Sequence, residues 1–269
     1  MADTLHRLRS LLGIVVVALL LPLAGASVAA AAPSPSETDS VSPFIVGGTR
    51  ASTADYPWVV YLATTSGFQY CGGTLVAPNK VVTAAHCTVG DSPSAVRVVA
   101  GRDDKKKPTG VVAGVTRIWV HLSYQDATLG EDVSVLTLDR NLNFATLPFA
   151  TPADGALYQE NTQSRILGWG TTSSGGSASR YLLTAVVPVT SNATCSGAYS
   201  EYDSNAMVCA GYPKGGTDTC QGDSGGPMVA GGKLIGITSW GYGCAMAGNP
   251  GVYTRVSTYS SLIQQQINS

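Results

Sequence analysis

Short runs of apolar and β-branched residues recur along this chain, and segments with glycine, proline, serine and aspartate separate them. Examples are residues 58–62, 95–99, 133–138 and 234–238. Runs of this length between turn-forming residues are typical of β-strands. Apolar residues three and four positions apart, as in a helix, occur mainly from about residue 256 to residue 268. The pattern predicts an all-β barrel or sandwich that ends in an α-helix.

The first 44 residues have the layout of a targeting and processing region. Arg7 and Arg9 precede an uncharged apolar run at 11–23, and four alanines follow at 29–32. This layout predicts a secretory signal peptide over 1–32. A transmembrane anchor is the alternative, but the strongly apolar part is short for a span of about 20 residues. Residues 33–44 are rich in serine and proline, so we expect a pro-segment there and one folded domain over 45–269.

The charge of the chain argues against nucleic acid as its main partner. The chain has 16 Lys and Arg residues and 17 Asp and Glu residues, and residues 45–269 keep 14 of each. Nucleic-acid-binding domains usually carry a basic excess. The run Lys105-Lys106-Lys107 follows two aspartates and predicts a solvent-exposed loop tip, with a local binding patch as the alternative.

All six cysteines lie in residues 45–269. An even number of cysteines in a secreted chain indicates disulfides, but six cysteines allow many pairings that the sequence alone does not distinguish. A zinc site is a poor interpretation, because there is no CxxC pair and His121 is the one histidine besides His86 in this part of the sequence.

A serine in a glycine-rich segment is the first candidate for chemistry. Ser224 lies in the sequence GDSGGP at 222–227. Glycines allow backbone N–H groups to converge on one point, where they can stabilise an oxyanion. Such a serine alone would more often be an ordinary turn residue. Here His86 lies in the run TAAHC at 83–87, and Asp132 opens the apolar run at 133–138, so the order along the chain is His, Asp, Ser.

Together with further blocks, these segments resemble the trypsin/chymotrypsin family of serine proteases, and most closely the trypsin-like branch found in bacteria. The further blocks are residues 45–48, 168–170, 239–241 and 250–253. The resemblance implies two six-stranded antiparallel β-barrels with the active site in the cleft between them, and a C-terminal α-helix. It also implies three disulfides: Cys71–Cys87, Cys195–Cys209 and Cys220–Cys244.

The resemblance assigns a role to each candidate catalytic residue. Ser224 would be the nucleophile, His86 the general base, and Asp132 the group that orients the imidazole and stabilises its charged form. The backbone N–H groups of Gly222 and Ser224 would form the oxyanion hole. Glu131 directly precedes Asp132 and is the nearest competitor for its role. The implied reaction is acyl transfer to water through an acyl-enzyme. We expect neither a cofactor nor a metal, with a weak calcium site, known in this family, as the alternative.

The resemblance also predicts a specificity pocket. Asp218 corresponds to the pocket floor of the trypsin-like branch, where a carboxylate selects a lysine or arginine side chain. The expected substrate-binding residues are Asp218, Thr219, Ser239, Trp240, Gly241 and Gly251. Gly241 and Gly251 match the positions that form the pocket walls. Together with Asp218, they argue against a chymotrypsin-like or elastase-like protease. The presence of all three catalytic residues argues against a non-catalytic binding homologue.

Ile45 and Asp223 form the expected activation switch. Cleavage after Phe44 would free the α-amino group of Ile45, and the resemblance implies that this group pairs with the Asp223 carboxylate. We expect a secreted, extracellular monomer, made as a zymogen and without stable membrane association. Its expected partners are protein or peptide substrates with Lys or Arg at P1, and protein inhibitors of proteases.

Overall fold

The computed structural model describes residues 45–269, which contain 13 β-strands and two α-helices besides short 3₁₀ helices. The predicted signal peptide at 1–32 and pro-segment at 33–44 lie outside the described residues. Among residues 45–269, no helix combines the length and the apolar character needed to cross a membrane.

Six strands of the first half close into an antiparallel barrel. They are β2 (Val59–Thr64), β3 (Gln69–Ala77), β4 (Lys80–Thr83), β5 (Val96–Ala100), β6 (Val111–Val120) and β7 (Ser134–Leu138). Their order around the barrel is β2-β3-β4-β7-β6-β5, and the pairing of β5 with β2 closes it.

Seven strands form the second sheet, in the order β1-β9-β8-β11-β12-β13-β10. They are β1 (Thr49–Arg50), β8 (Gln163–Gly168), β9 (Leu183–Pro188), β10 (Met207–Ala210), β11 (Pro227–Ala230), β12 (Lys233–Trp240) and β13 (Gly251–Arg255). A bridge between Val189 and Ala210 joins the end of β9 to β10, so the six longer strands form a second ring to which the short β1 is added. The predicted all-β fold with two barrels is confirmed.

A buried apolar cluster lies between the two barrels. Val59, Tyr61 and Ala63 of β2 pack with Leu167 and Trp169, at the end of β8. The intervening residues of β2 belong to the core of the first barrel. Because side chains alternate along a strand, β2 is buried on both faces and holds the two barrels together.

The helices are α1 (Asn192–Ala198) and α2 (Val256–Ile267). The C-terminal helix α2 was predicted by its apolar spacing, and Val256 and Ile263 are fully buried. Helix α1 was not predicted, because it has only seven residues. The Ser191 side chain caps its first turn by accepting a hydrogen bond from the backbone N–H of Thr194.

The cysteines form three disulfides, Cys71–Cys87, Cys195–Cys209 and Cys220–Cys244. The first ties β3 to the turn after β4, and the second ties α1 to β10. The third joins the loop before Ser224 to the loop after β12.

The predicted solvent-exposed tip of the loop at 101–110 is correct for Lys106 and Lys107 but wrong for Lys105. The Lys105 Nζ points inward and donates to Gln69 Oε1 at 2.8 Å. A local run of like charges cannot reveal an acceptor that lies 36 positions away in the sequence.

Candidate active site

His86 lies directly after the first barrel's strand β4. It occupies a 3₁₀ turn, Ala85–Cys87, which the Cys71–Cys87 disulfide ties to β3. The imidazole Nδ1 lies 2.8 Å from Asp132 Oδ2, and the backbone N–H of His86 donates to Asp132 Oδ1 at 2.9 Å. One carboxylate therefore fixes both the turn and the ring.

Asp132 is 1% exposed and is also held from the second barrel. The Ser239 hydroxyl donates to Asp132 Oδ2 at 2.5 Å, and the Thr254 hydroxyl donates to the Asp132 carbonyl at 2.7 Å. An ionised carboxylate only accepts hydrogen bonds, so the contact assigns the proton to Nδ1 of His86 and leaves Nε2 as an acceptor. The carboxylate that contacts His86 is that of Asp132, not that of Glu131.

Ser224 lies on a tight turn that contacts the first barrel. Gly72 of β3 donates its backbone N–H to the Ser224 carbonyl at 2.7 Å. Gly225 has φ 77°, and a Cβ there would lie 2.2 Å from the hydroxyl oxygen of Thr83. Only glycine fits this close approach. Within residues 45–269, no hydrogen bond joins Ser224 Oγ to His86, and such bonds are often long when no substrate is bound.

The backbone around Gly222 forms a narrow loop with φ 93° at the glycine. The N–H of Asp223 donates to the Cys220 carbonyl at 2.9 Å, and the N–H of Gly226 donates to the Asp223 carbonyl at 2.8 Å. In the part of the chain that the structure describes, the N–H groups of Gly222 and Ser224 have no backbone acceptor. They are therefore available to a ligand oxygen.

The predicted specificity residues and Ser224 line one cavity. The predicted members are Asp218, Thr219, Ser239, Trp240, Gly241 and Gly251. A Cβ at Gly251 would lie 2.5 Å from Asp218 Oδ1, so a side chain there would collide with the floor of the cavity. The wall also includes Gln221 and the Cys220–Cys244 disulfide. These residues were not predicted to line the pocket, because no local sequence pattern shows which way their side chains face.

Asp218 is buried at the base of this cavity. Its Oδ1 accepts from the Thr219 N–H at 2.8 Å, and its Oδ2 accepts from the Ala245 N–H at 3.1 Å. No basic side chain of residues 45–269 forms an ion pair with it. Burial raises the pKa of Asp218 to about 6, although the two N–H donors lower it in part. A cation that enters the cavity would therefore meet an unpaired carboxylate.

The two residues of the predicted activation switch are both buried. Ile45 packs in the core of the second barrel, and Asp223 is 0% exposed. The Asp223 carboxylate accepts from the backbone N–H groups of Gly170 at 2.7 Å and Cys220 at 3.0 Å. In the uncleaved chain the nitrogen of Ile45 is a peptide nitrogen without charge, so the ion pair of Ile45 with Asp223 stays a prediction for the cleaved form.

Cys71, His86 and Cys87 bring three metal-ligand atom types close together. The two cysteines share a disulfide and have no thiolate to offer. This cluster therefore does not fit a zinc site.

Comparison with known proteins agrees with this geometry. A family model described as Trypsin matches residues 45–263. The chain is 56% identical over 225 residues to a protein named Trypsin from Saccharopolyspora erythraea, a match that covers 84% of this chain and 99% of the relative. It is 40% identical over 237 residues to Trypsin-1 from Astacus astacus, covering 82% and 98%. It is also 40% identical over 254 residues to Serine protease 1 from Rattus norvegicus, covering 93% and 97%.

These matches span nearly the full length of each relative, and the residues matched by the family model include every site residue described above. The chain is a serine endopeptidase, and it belongs to the trypsin family.

Proposed function

We propose that this endopeptidase is secreted and hydrolyses peptide bonds after lysine or arginine. The observation that carries the proposal is the buried, unpaired carboxylate of Asp218 in the cavity that also contains Ser224. The relatives that bear the name trypsin support the same specificity. The N-terminal layout of residues 1–32 supports secretion.

The proposed catalytic residues are Ser224, His86 and Asp132. His86 Nε2 takes the proton from Ser224 Oγ as that oxygen attacks the scissile carbonyl carbon. Asp132 holds the other ring nitrogen and stabilises the imidazolium that forms, a role that the 2.8 Å contact supports. The imidazolium then gives its proton to the leaving amine, and a water molecule hydrolyses the acyl-enzyme by the same steps in reverse.

The proposed oxyanion hole consists of the N–H groups of Gly222 and Ser224. Their lack of a backbone acceptor within residues 45–269 supports this role. Each such donor typically stabilises the transition state by about 3–4 kcal/mol. The donors act on the charge that develops on the carbonyl oxygen during the attack.

Selection of lysine and arginine follows from the desolvation of Asp218. A cationic P1 side chain would pair with the carboxylate, whereas an apolar side chain would leave a buried charge without a partner. Discrimination of this kind reaches roughly 10⁴-fold. The absence of a side chain at Gly241 and Gly251 leaves space for the long stem of the substrate residue.

We also propose that the enzyme is made as a zymogen and is activated by cleavage after Phe44. The new α-amino group of Ile45 pairs with Asp223 and orders the oxyanion loop and the pocket. Residues 45–48 already pack on the second barrel, and the N–H of Asp218 donates to the Val46 carbonyl at 3.2 Å. Cleavage would thus create the charged α-amino group of Ile45 next to the segment that contains Asp218 and leads into the oxyanion loop.

A scan of P1 residues on small chromogenic peptides, with protein processed to an Ile45 N-terminus, tests this function. Arg and Lys substrates should be cleaved far faster than Phe, Leu or Ala substrates, and Asp218→Ser should lose most of that preference. Asp132→Asn should lower kcat by about 10⁴-fold. Ser224→Ala should abolish stoichiometric labelling by a phosphonylating reagent while circular dichroism stays unchanged. Comparable wild-type rates on Phe and Arg substrates would overturn the specificity.

A further inference from the structure

Lys105 directs its ammonium group into the protein from the loop that joins β5 to β6. Its Nζ lies 2.8 Å from Gln69 Oε1 and 3.4 Å from the Trp169 carbonyl oxygen. The adjacent Lys106 and Lys107 are exposed. Removing an ammonium group from water is costly unless hydrogen bonds or a charge compensate it. The contacts inside the protein must therefore favour this orientation.

Gln69, the first residue of β3, extends the contact from Lys105 to the oxyanion loop. Its side chain is buried, and its amide uses both ends: Oε1 accepts from Lys105, and Nε2 donates to the Gly222 carbonyl at 2.8 Å. If the Gln69 amide were reversed, its NH₂ group would face the Lys105 ammonium and its oxygen would face the Gly222 carbonyl, and neither pair could form a hydrogen bond. Since an ammonium can only donate, Lys105 fixes which end of Gln69 faces Gly222.

Gly222 needs such a support because glycine restricts its backbone less than any other residue. The peptide group between Gln221 and Gly222 is held by the N–H of Thr171, which donates to the Gln221 carbonyl at 2.7 Å. The peptide group between Gly222 and Asp223 is held by Gln69, which donates to the Gly222 carbonyl. The N–H that would bind the oxyanion lies between these two contacts.

The charge of Lys105 also acts on the buried carboxylate of the same loop. Burial raises the pKa of Asp223 to about 7, and the nearby Lys105 ammonium lowers it in part. Burial lowers the pKa of Lys105 to about 8, and Asp223 raises it in part. Asp218, the other carboxylate that acts on Asp223, raises its pKa. Lys105 and Asp223 thus each favour the charged state of the other.

We propose that Lys105 is a positioning residue for the oxyanion hole, acting through Gln69 on the Gly222 peptide. Lys105 itself does not touch the substrate. The inference rests on the proposed role of the Gly222 N–H. It adds a connection from a surface loop of the first barrel to the oxyanion loop of the second.

The test compares Lys105→Met with wild type, both processed to an Ile45 N-terminus. Methionine keeps a long unbranched side chain and removes the ammonium. We expect kcat on an arginine substrate to fall about 10-fold with KM nearly unchanged, as a small displacement of a catalytic group would cause. Affinity for a peptidyl-arginine aldehyde, whose adduct with Ser224 places an oxyanion in the hole, should fall by a similar factor. Affinity for benzamidine, which occupies only the Asp218 pocket, should not change.

Two further variants sharpen the test. Lys106→Met removes the same charge from the adjacent exposed lysine and should behave like wild type. Gln69→Leu breaks the connection at its centre and should lower kcat at least as much as Lys105→Met. The double variant should be no worse than Gln69→Leu, because the two residues act in series. Thermal unfolding of each variant identifies the temperatures at which all of them are folded.

The outcomes separate this inference from the proposed function. Wild-type kcat and aldehyde affinity in folded Lys105→Met would overturn the inference. Equal losses of aldehyde and benzamidine affinity would also overturn it, because they would indicate a general structural role. Strictly additive effects of Lys105→Met and Gln69→Leu would contradict the series arrangement. Failure of wild type to cleave arginine substrates would overturn the proposed function itself, and this inference with it.

Discussion

Burial of Asp218 destabilises its ionised form as long as no cation pairs with it. With a pKa raised to about 6, the free enzyme becomes less stable relative to the unfolded chain as the pH rises and this group ionises. Under the proposed specificity, a cationic P1 side chain should reverse this effect by pairing with the carboxylate. The specificity of the pocket should therefore depend on the protonation of one residue.

This dependence gives a prediction about pH. The ratio of kcat/KM for an arginine substrate to that for its uncharged citrulline analogue should be constant above about pH 7. It should fall as the pH drops through about 6, because a protonated Asp218 cannot pair with a cation. Any titration that both substrates share cancels in the ratio.

The control for this prediction is Asp218→Asn, which should give a low ratio at every pH. A wild-type ratio that stays constant from about pH 5 to pH 8 would contradict the assignment of the pH dependence to Asp218.

At the residue scale the sequence predicted the contact of His86 with Asp132, because both lie in recognisable segments. It favoured Asp132 over Glu131 only on the position of the following apolar run, and the contact at 2.8 Å agrees with that choice. It did not predict that Ser239 would donate to Asp132, 107 positions away. Such contacts arise when the barrels dock, and no spacing within the chain encodes them.

At the scale of secondary structure elements, α2 supports the loop that carries Asp132. The Tyr259 hydroxyl accepts a hydrogen bond from the backbone N–H of Glu131 at 3.1 Å. Glu131 has φ 55°, a left-handed conformation that a residue with a side chain adopts only at a cost. The helix therefore helps to hold a strained residue directly before Asp132.

We expect Tyr259→Phe to lower the free energy of unfolding by about 1–2 kcal/mol, because the Glu131 N–H loses its acceptor. Urea denaturation of the processed enzyme measures this change. Ser261→Ala on the exposed face of the same helix is the control and should change stability by less than about 0.5 kcal/mol. Equal stability of Tyr259→Phe and wild type would show that the hydrogen bond contributes nothing.

Apolar spacing and short apolar runs in the sequence predicted one helix and several strands correctly. The apolar spacing near the C-terminus predicted a helix close to the observed Val256–Ile267, and four apolar runs correspond to strands β2, β5, β7 and β12. The closure of the barrels, the inward turn of Lys105 and the contact of Gln69 with Gly222 were not predictable in this way. Each depends on residues distant in the sequence, such as the 153 positions between Gln69 and Gly222.

At the scale of the whole molecule, activation should require a second protease. The residue before Ile45 is Phe44, and a pocket with Asp218 at its floor should accept phenylalanine poorly. Purified precursor should therefore stay inactive on incubation, whereas Phe44→Arg should make it activate itself. N-terminal sequencing and activity on an arginine peptide, measured over time, check both outcomes.

The Ser224→Ala variant of the Phe44→Arg precursor is the control, and it should not mature. The prediction would be wrong if purified wild-type precursor acquired an Ile45 N-terminus on incubation and its Ser224→Ala variant did not. That result would show that the enzyme does cut after Phe44.

After cleavage, pairing with Asp223 should raise the pKa of the Ile45 α-amino group above its usual value of about 7.7–8.0. The stability that this pair supplies is complete below that usual value and is lost as the pH rises through the raised pKa.

The hydrogen bond from Gly72 to the Ser224 carbonyl has a consequence for biosynthesis. The proposed base, His86, and its carboxylate, Asp132, lie in the first half of the chain, while the proposed nucleophile, Ser224, is synthesised 92 positions after Asp132 and contacts a strand made much earlier. A partly synthesised chain thus has no working set of groups, however well its first barrel has folded. No copy can therefore hydrolyse a peptide bond through these groups before its second barrel has folded against its first.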